Sequence, residues 1–146
     1  MLPDLKGTAE TLSYSCSAWC SVPESYFLQM GVCYLLTIAI ETTVLLVGLS
    51  KRHSTRVKLF AGVWLSACTY PVVWLVLPPL FDMYEERWAY LLVAETFAPV
   101  AECLLFWIAF IRPQAPAPRA SHRDLLVIVA ANLASFGAGE AIHLWL

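Results

Sequence analysis

Charge is what this sequence has least of. Only 14% of its residues are charged and 60% are hydrophobic, against about 25% and about 45–50% in a soluble domain. A soluble core of 146 residues cannot hide that much apolar surface, which disfavours a soluble enzyme. The same scarcity excludes a disordered chain. A basic excess is missing too: 9 Lys and Arg face 11 Asp and Glu, for a formal net charge of -2. Nucleic acid is therefore not an expected partner. Histidine is rare, at 3 residues, and Lys and Arg are absent from every long apolar run. A retinal Schiff base has no intramembrane lysine to form on. Haem ligation between helices would have only His143, near a membrane surface.

What is present in quantity is apolar sequence, in four runs long enough for a bilayer, which needs about 20 residues. They cover about 27–49, 59–81, 88–111 and 125–146. Barrel strands would be shorter and strictly alternating, so helices are the expected spanning structure. The connections 50–58 and 82–87 are short, and 112–124 reads as a stiff, Pro-rich, extended linker. The expected fold is an all-α integral membrane four-helix bundle, antiparallel and up-down. It forms one domain over 27–146, preceded by a tail over 1–26.

Basic residues orient the chain. Lys51, Arg52, Arg56 and Lys58 flank the first connection, and Arg112, Arg119 and Arg123 lie in the third. The positive-inside rule places both connections in the cytoplasm. The second connection carries Asp82, Glu85 and Glu86 with Arg87 alone, so it and both termini fall on the non-cytoplasmic side. Trp19, Tyr26, Tyr84, Trp88, Tyr90 and Trp145 gather near that interface as an aromatic belt. His53 and His122 read as solvated loop residues, and the basic loops as contacts for anionic lipid.

The tail has no apolar core or basic leader of a signal peptide, so the first span is expected to direct its own insertion. Trp19, Val22 and Tyr26 are spaced for one face of an interfacial segment, which Pro23 interrupts. Cys16 and Cys20 lie in the tail. They are candidates for a local disulfide in an oxidising compartment, with a spacing awkward for a regular helix. No His stands near them for a zinc site. Cys33, Cys68 and Cys103 lie inside spans and read as small packing residues.

The informative residues are four carboxylates inside the spans: Glu41, Glu95, Glu102 and Glu140. Each costs at least about 2.5–3.5 kcal/mol at mid-membrane on insertion scales. Helical spacing puts each on a polar, small-residue face. Thr37 and Glu41 share one with Tyr34 and Gly48; Ser66, Thr69 and Tyr70 share one with Gly62. Glu95 and Glu102 share a stripe seven residues apart, and Asn132, Ser135, Glu140 and His143 share one with Gly139. Packing these stripes inward satisfies the polar groups and lets backbones approach. Depth separates them into a midplane pair, Glu41 with Glu102, and an outer pair, Glu95 with Glu140, which His143 can join. Two carboxylates close together in low dielectric share a proton or hold a cation.

The expected function is therefore binding or conduction of a proton or cation by Glu41, Glu95, Glu102 and Glu140. Thr37, Ser66, Thr69, Tyr70, Asn132, Ser135 and His143 form the supporting polar core. The alternative is a non-catalytic subunit scaffolding a membrane complex, with protonated carboxyls as interhelical hydrogen-bond partners. Either as homo-oligomer or as subunit, the chain is expected to have partners besides the lipid bilayer. Glu140 and His143 have the i, i+3 spacing of carboxylate di-iron bundles. That motif needs a second pair and two further Glu, so they are weak metal candidates and no cofactor is named. No nucleophile–base pair is recognisable, which leans away from an enzyme. Pro71 and Pro99 fall mid-span and each frees a carbonyl one turn earlier. Small multidrug exporters also have four short helices and a Glu in the first. The longer tail, Pro-rich third connection, three further intramembrane Glu and strong charge bias set this chain apart, and their activity is not carried over.

Overall fold

The computed structural model describes residues 24–82, 85–113 and 118–145, and the backbone alone at 24, 25, 118 and 143–145. The described chain is four helices and no strand. They are α1 (Glu24–Gly48), α2 (Thr55–Pro71), α3 (Arg87–Phe106) and α4 (Pro118–Trp145). Each belongs to a stretch long and apolar enough to cross a membrane: Tyr26–Gly48, Thr55–Leu80, Arg87–Ile111 and Arg119–Ile142. That is the pattern of a multi-pass membrane protein. The chain divides into two compact units, Met1–Val32 and Cys33–Leu146. Within the first, the Tyr26 ring meets Phe27 edge-on, with centroids 6.0 Å apart. Every contact below belongs to the second.

Two helix ends differ from the sequence reading, and both shifts bring polar residues into the bundle. Ser54 caps α2, its hydroxyl accepting from the Val57 amide at 3.4 Å, so the helix begins at Thr55 and takes Lys58 into its first turn. The third connection is not extended up to Asp124. Pro118 opens α4, a position where its missing N–H costs nothing and its fixed φ suits a helix. Arg119 to Asp124 are therefore helical. Pro71 ends the α-helical part of α2, and a π-helical turn, Val72–Val76, follows. A second π-helical turn, Trp107–Ile111, extends α3.

End-to-end contacts fix the antiparallel order. The Tyr90 hydroxyl, early in α3, donates to the Val73 carbonyl just after α2, at 3.1 Å. Arg87, at the start of α3, pairs with Glu140 near the end of α4. Ser50, just past α1, bonds Asp124 early in α4. Leu45, Leu49, Ala61, Leu65, Phe106, Ile111, Ile128 and Ala131 form the buried core. Large apolar side chains such as Leu35, Val47, Leu92 and Leu126 are exposed, as lipid-facing positions must be.

Candidate functional site

The centre of the bundle is polar. Glu41 of α1 and Glu102 of α3 are each 3% exposed. Glu41 accepts from Ser66 Oγ of α2 at 2.5 Å and from Ser135 Oγ of α4 at 2.8 Å. Glu102 accepts from Thr69 Oγ1 of α2 at 2.9 Å and from Asn132 Nδ2 of α4 at 2.7 Å. Each acid thus bridges the same two helices. α2 and α4 run in the same direction. Along α2 the partner of Glu41 comes first; along α4 the partner of Glu102 comes first. The two carboxyls therefore lie at one level.

Helical spacing explains why the donors reach. Ser66 and Thr69 are one turn apart on α2, as are Asn132 and Ser135 on α4. Every donor also has a backbone acceptor on its own helix. Ser66 Oγ lies 2.8 Å from the Gly62 carbonyl, Thr69 Oγ1 3.2 Å from that of Leu65, and Ser135 Oγ 2.9 Å from that of Asn132. Asn132 Nδ2 lies 3.1 Å from the Ile128 carbonyl and has a proton for each of its acceptors. The three hydroxyls have one proton each and two acceptors within reach. When an acid is ionised, its hydroxyl partners turn their protons to it. When Glu41 is protonated at Oε2, it donates to Ser66, whose own proton turns to Gly62. Either state is met by rotating a hydroxyl, with no heavy atom displaced.

The other two intramembrane acids lie in different surroundings. Glu140 takes both of its bonds from Arg87 Nη2, at 3.0 and 3.2 Å, in a partly exposed pair. Glu95 is half-buried in a groove of about 420 Å³ lined by Thr96, Pro99, Val100, Cys103 and Val129. It makes no hydrogen bond or ion pair among the described residues. Thr37 is half-buried on α1 and joins none of the central bonds. Tyr70 contributes its ring, 4.8 Å from that of Tyr34 and 5.6 Å from that of Trp74. The His143 side chain, Cys16 and Cys20 lie outside the described residues. Among the described residues no group of three His, Cys, Asp or Glu is placed to hold a metal. Cys33, Cys68 and Cys103 are free thiols.

One polar cluster was not legible as such. Asp124 is wholly buried and accepts from the Ser50 amide at 2.7 Å, from Ser50 Oγ at 2.9 Å and from His53 Nε2 at 3.1 Å. Contrary to the sequence expectation, His53 is not a solvated loop residue: only 1% of its side chain is exposed. The cause is the longer α4, which carries Asp124 over the end of α1. His122 does remain exposed. Nearby, Lys58 Nζ donates to the carbonyls of Leu49 at 2.5 Å and Leu46 at 3.2 Å, and Arg123 Nη2 to that of Gly48 at 3.0 Å. These cations satisfy the last carbonyls of α1, where a helix leaves acceptors open and its dipole is negative. An isolated Asp among basic residues, just before an apolar run, was the one available signal.

No protein-family model, curated protein or solved structure matches this chain.

Proposed function

We propose that the Glu41–Glu102 centre takes up and releases a proton near the middle of the membrane, and that the protein moves protons through it. The observation that carries this reading is the hydroxyl arithmetic. Each carboxyl oxygen already faces a donor, and three of the four donors have an alternative acceptor to turn to. A protonation site needs that, whereas a metal cation needs lone pairs converging on a cavity. The proton is thus favoured over a larger cation. Glu95 and Glu140 are placed nearer the non-basic ends of their helices and would form the entry on that side. The excess of seven basic residues in the first and third connections supports a cytoplasmic side for those connections and the outside for both termini.

The test is flux. Purified protein in liposomes, with a pH-sensitive dye inside, is expected to carry protons down an imposed gradient. Glu41→Gln with Glu102→Gln keeps the shapes and removes the titrating groups, so flux should vanish while the helical content stays. Undiminished flux in that variant would sink the proposal. A second reading is a non-catalytic subunit of a larger membrane complex. It is favoured by the same saturation of the carboxyl oxygens, which ties four helices together whether or not a proton ever leaves. A stoichiometric partner after mild-detergent purification, with no flux from the isolated chain, would select it. A homo-oligomer that carries protons would select the first.

A further inference from the structure

Glu41, Glu102 and the two donors to Glu102 are each followed, one helical turn toward the basic connections, by a buried apolar residue. Leu45 follows Glu41, Leu65 lies beyond Thr69, Phe106 follows Glu102 and Ile128 lies beyond Asn132. All four are at most 2% exposed. They make one apolar layer across the bundle. On the far side of it lies the buried Ser50–His53–Asp124 cluster. Asp124 and Asn132 are eight residues apart on α4, about 12 Å along the axis. Phe106 links the two clusters: it is one turn from Glu102, and its ring meets the His53 ring edge-on with centroids 5.2 Å apart.

His53 is built as a proton acceptor. Its Nε2 faces the Asp124 carboxylate, which can only accept, so Nε2 carries the hydrogen. The neutral ring then presents a bare lone pair at Nδ1. That atom is buried and has no hydrogen-bond partner. A carboxylate holding one imidazole nitrogen fixes the tautomer and the ring's orientation. The charged groups around it are otherwise engaged. Lys58 and Arg123 are held by carbonyls of α1, and Arg52 Nη1 lies 3.4 Å from Ser121 Oγ. From α3 the ring meets Phe106, which carries no charge.

We infer that His53 is a second proton-binding position, separated from Glu41 and Glu102 by the single apolar layer, and that the centre exchanges its proton through His53 with the side bearing the basic connections. This rests on reading the two acids as a proton site. In the step, a carboxyl O–H bond breaks and an Nδ1–H bond forms. The resulting imidazolium is paired with Asp124, and it later loses the same proton to water. Phe106 is the barrier, since transfer requires its ring to swing aside or water to cross the layer. Asp124 is a positioning residue.

The liposome assay tests this with His53→Gln, whose amide N–H can replace Nε2–H toward Asp124 but cannot titrate. Flux is expected to fall about tenfold or more and to lose its dependence on pH on the basic side. Phe106→Ala is expected to raise flux by opening the layer. If the wild type carries no protons, the proton-site reading falls and this inference with it. If Glu41→Gln/Glu102→Gln abolishes flux but His53→Gln leaves flux and pH profile unchanged, this inference alone falls. Should His53→Gln fail to fold, the intact ring decides. In protein carrying His122→Gln and His143→Gln, nitrogen NMR should show His53 titrating across the pH range of flux, with the neutral ring protonated at Nε2. A ring locked in one state through that range would overturn it.

Discussion

Lys58 holds its ammonium against the carbonyls of Leu46 and Leu49, twelve and nine residues back in the chain. Charge-assisted bonds of this kind contribute about 1.5–3 kcal/mol each when nothing replaces them, and the charge also meets the negative end of α1. Lys58→Met keeps the buried stem and removes the head. It is expected to lower unfolding stability by about 2 kcal/mol, read as the midpoint of denaturation in detergent micelles. A loss below about 0.5 kcal/mol would mean that water or Arg123 caps the carbonyls as well. In the sequence Lys58 counts as one of seven orienting charges. Nothing in its spacing shows that a flexible stem reaches back over the turn. The same holds for His53, whose burial depends on a residue 71 positions later. Local pattern reports which face of a helix is polar; it does not report which distant residue closes over it.

At the scale of elements, α1 and α2 cross closely where Gly62 faces Thr42. A Cβ at Gly62 would lie 2.9 Å from Thr42 Cα, which is backbone and cannot turn away. Gly62→Ala should therefore force the helices apart, at about 1–3 kcal/mol. It should also weaken the Ser66–Glu41 bond, since Ser66 is one turn along. Gly137 has no atom within 4 Å of its would-be Cβ. Gly137→Ala is expected to be neutral or to stabilise α4 by up to about 1 kcal/mol through helix propensity. Melting both variants side by side separates packing from propensity, and equal behaviour would refute the close approach. The existence of the four helices was legible because each apolar run is long and uncharged. Their ends were not. Ser54 as a cap and Pro118 as a first helical residue are short-range signals, outweighed by the loop-like composition around them.

For the molecule as a whole, the sequence offered four intramembrane acids at two depths, and the structure gives them three settings. Angle and depth on each helix could be read from spacing, which is why Glu41 and Glu102 were matched in level. Which helices close on one another could not, so Arg87 beside Glu140 and the open groove at Glu95 were out of reach. The asymmetry between the two ends of the bundle remains the strongest whole-molecule signal. At one end Lys58 and Arg123 cap α1 and His53 pairs with Asp124; at the other a single Arg87 meets Glu140. With Arg52 bonded to Ser121, three of the seven basic residues are thus held by the fold. The remaining four still exceed what the second connection carries, so the charge bias persists without them. The expected outcome is specific. In a variant with the native cysteines replaced, Glu85→Cys should react with an impermeant maleimide added outside intact cells. Ser54→Cys should react only after permeabilisation. Both positions are exposed, so failure to label reports sidedness rather than burial. The reverse pattern would invert the chain and place the His53 exit on the outer face. Equal labelling of both would indicate two orientations in one membrane, and a proton path with no fixed direction.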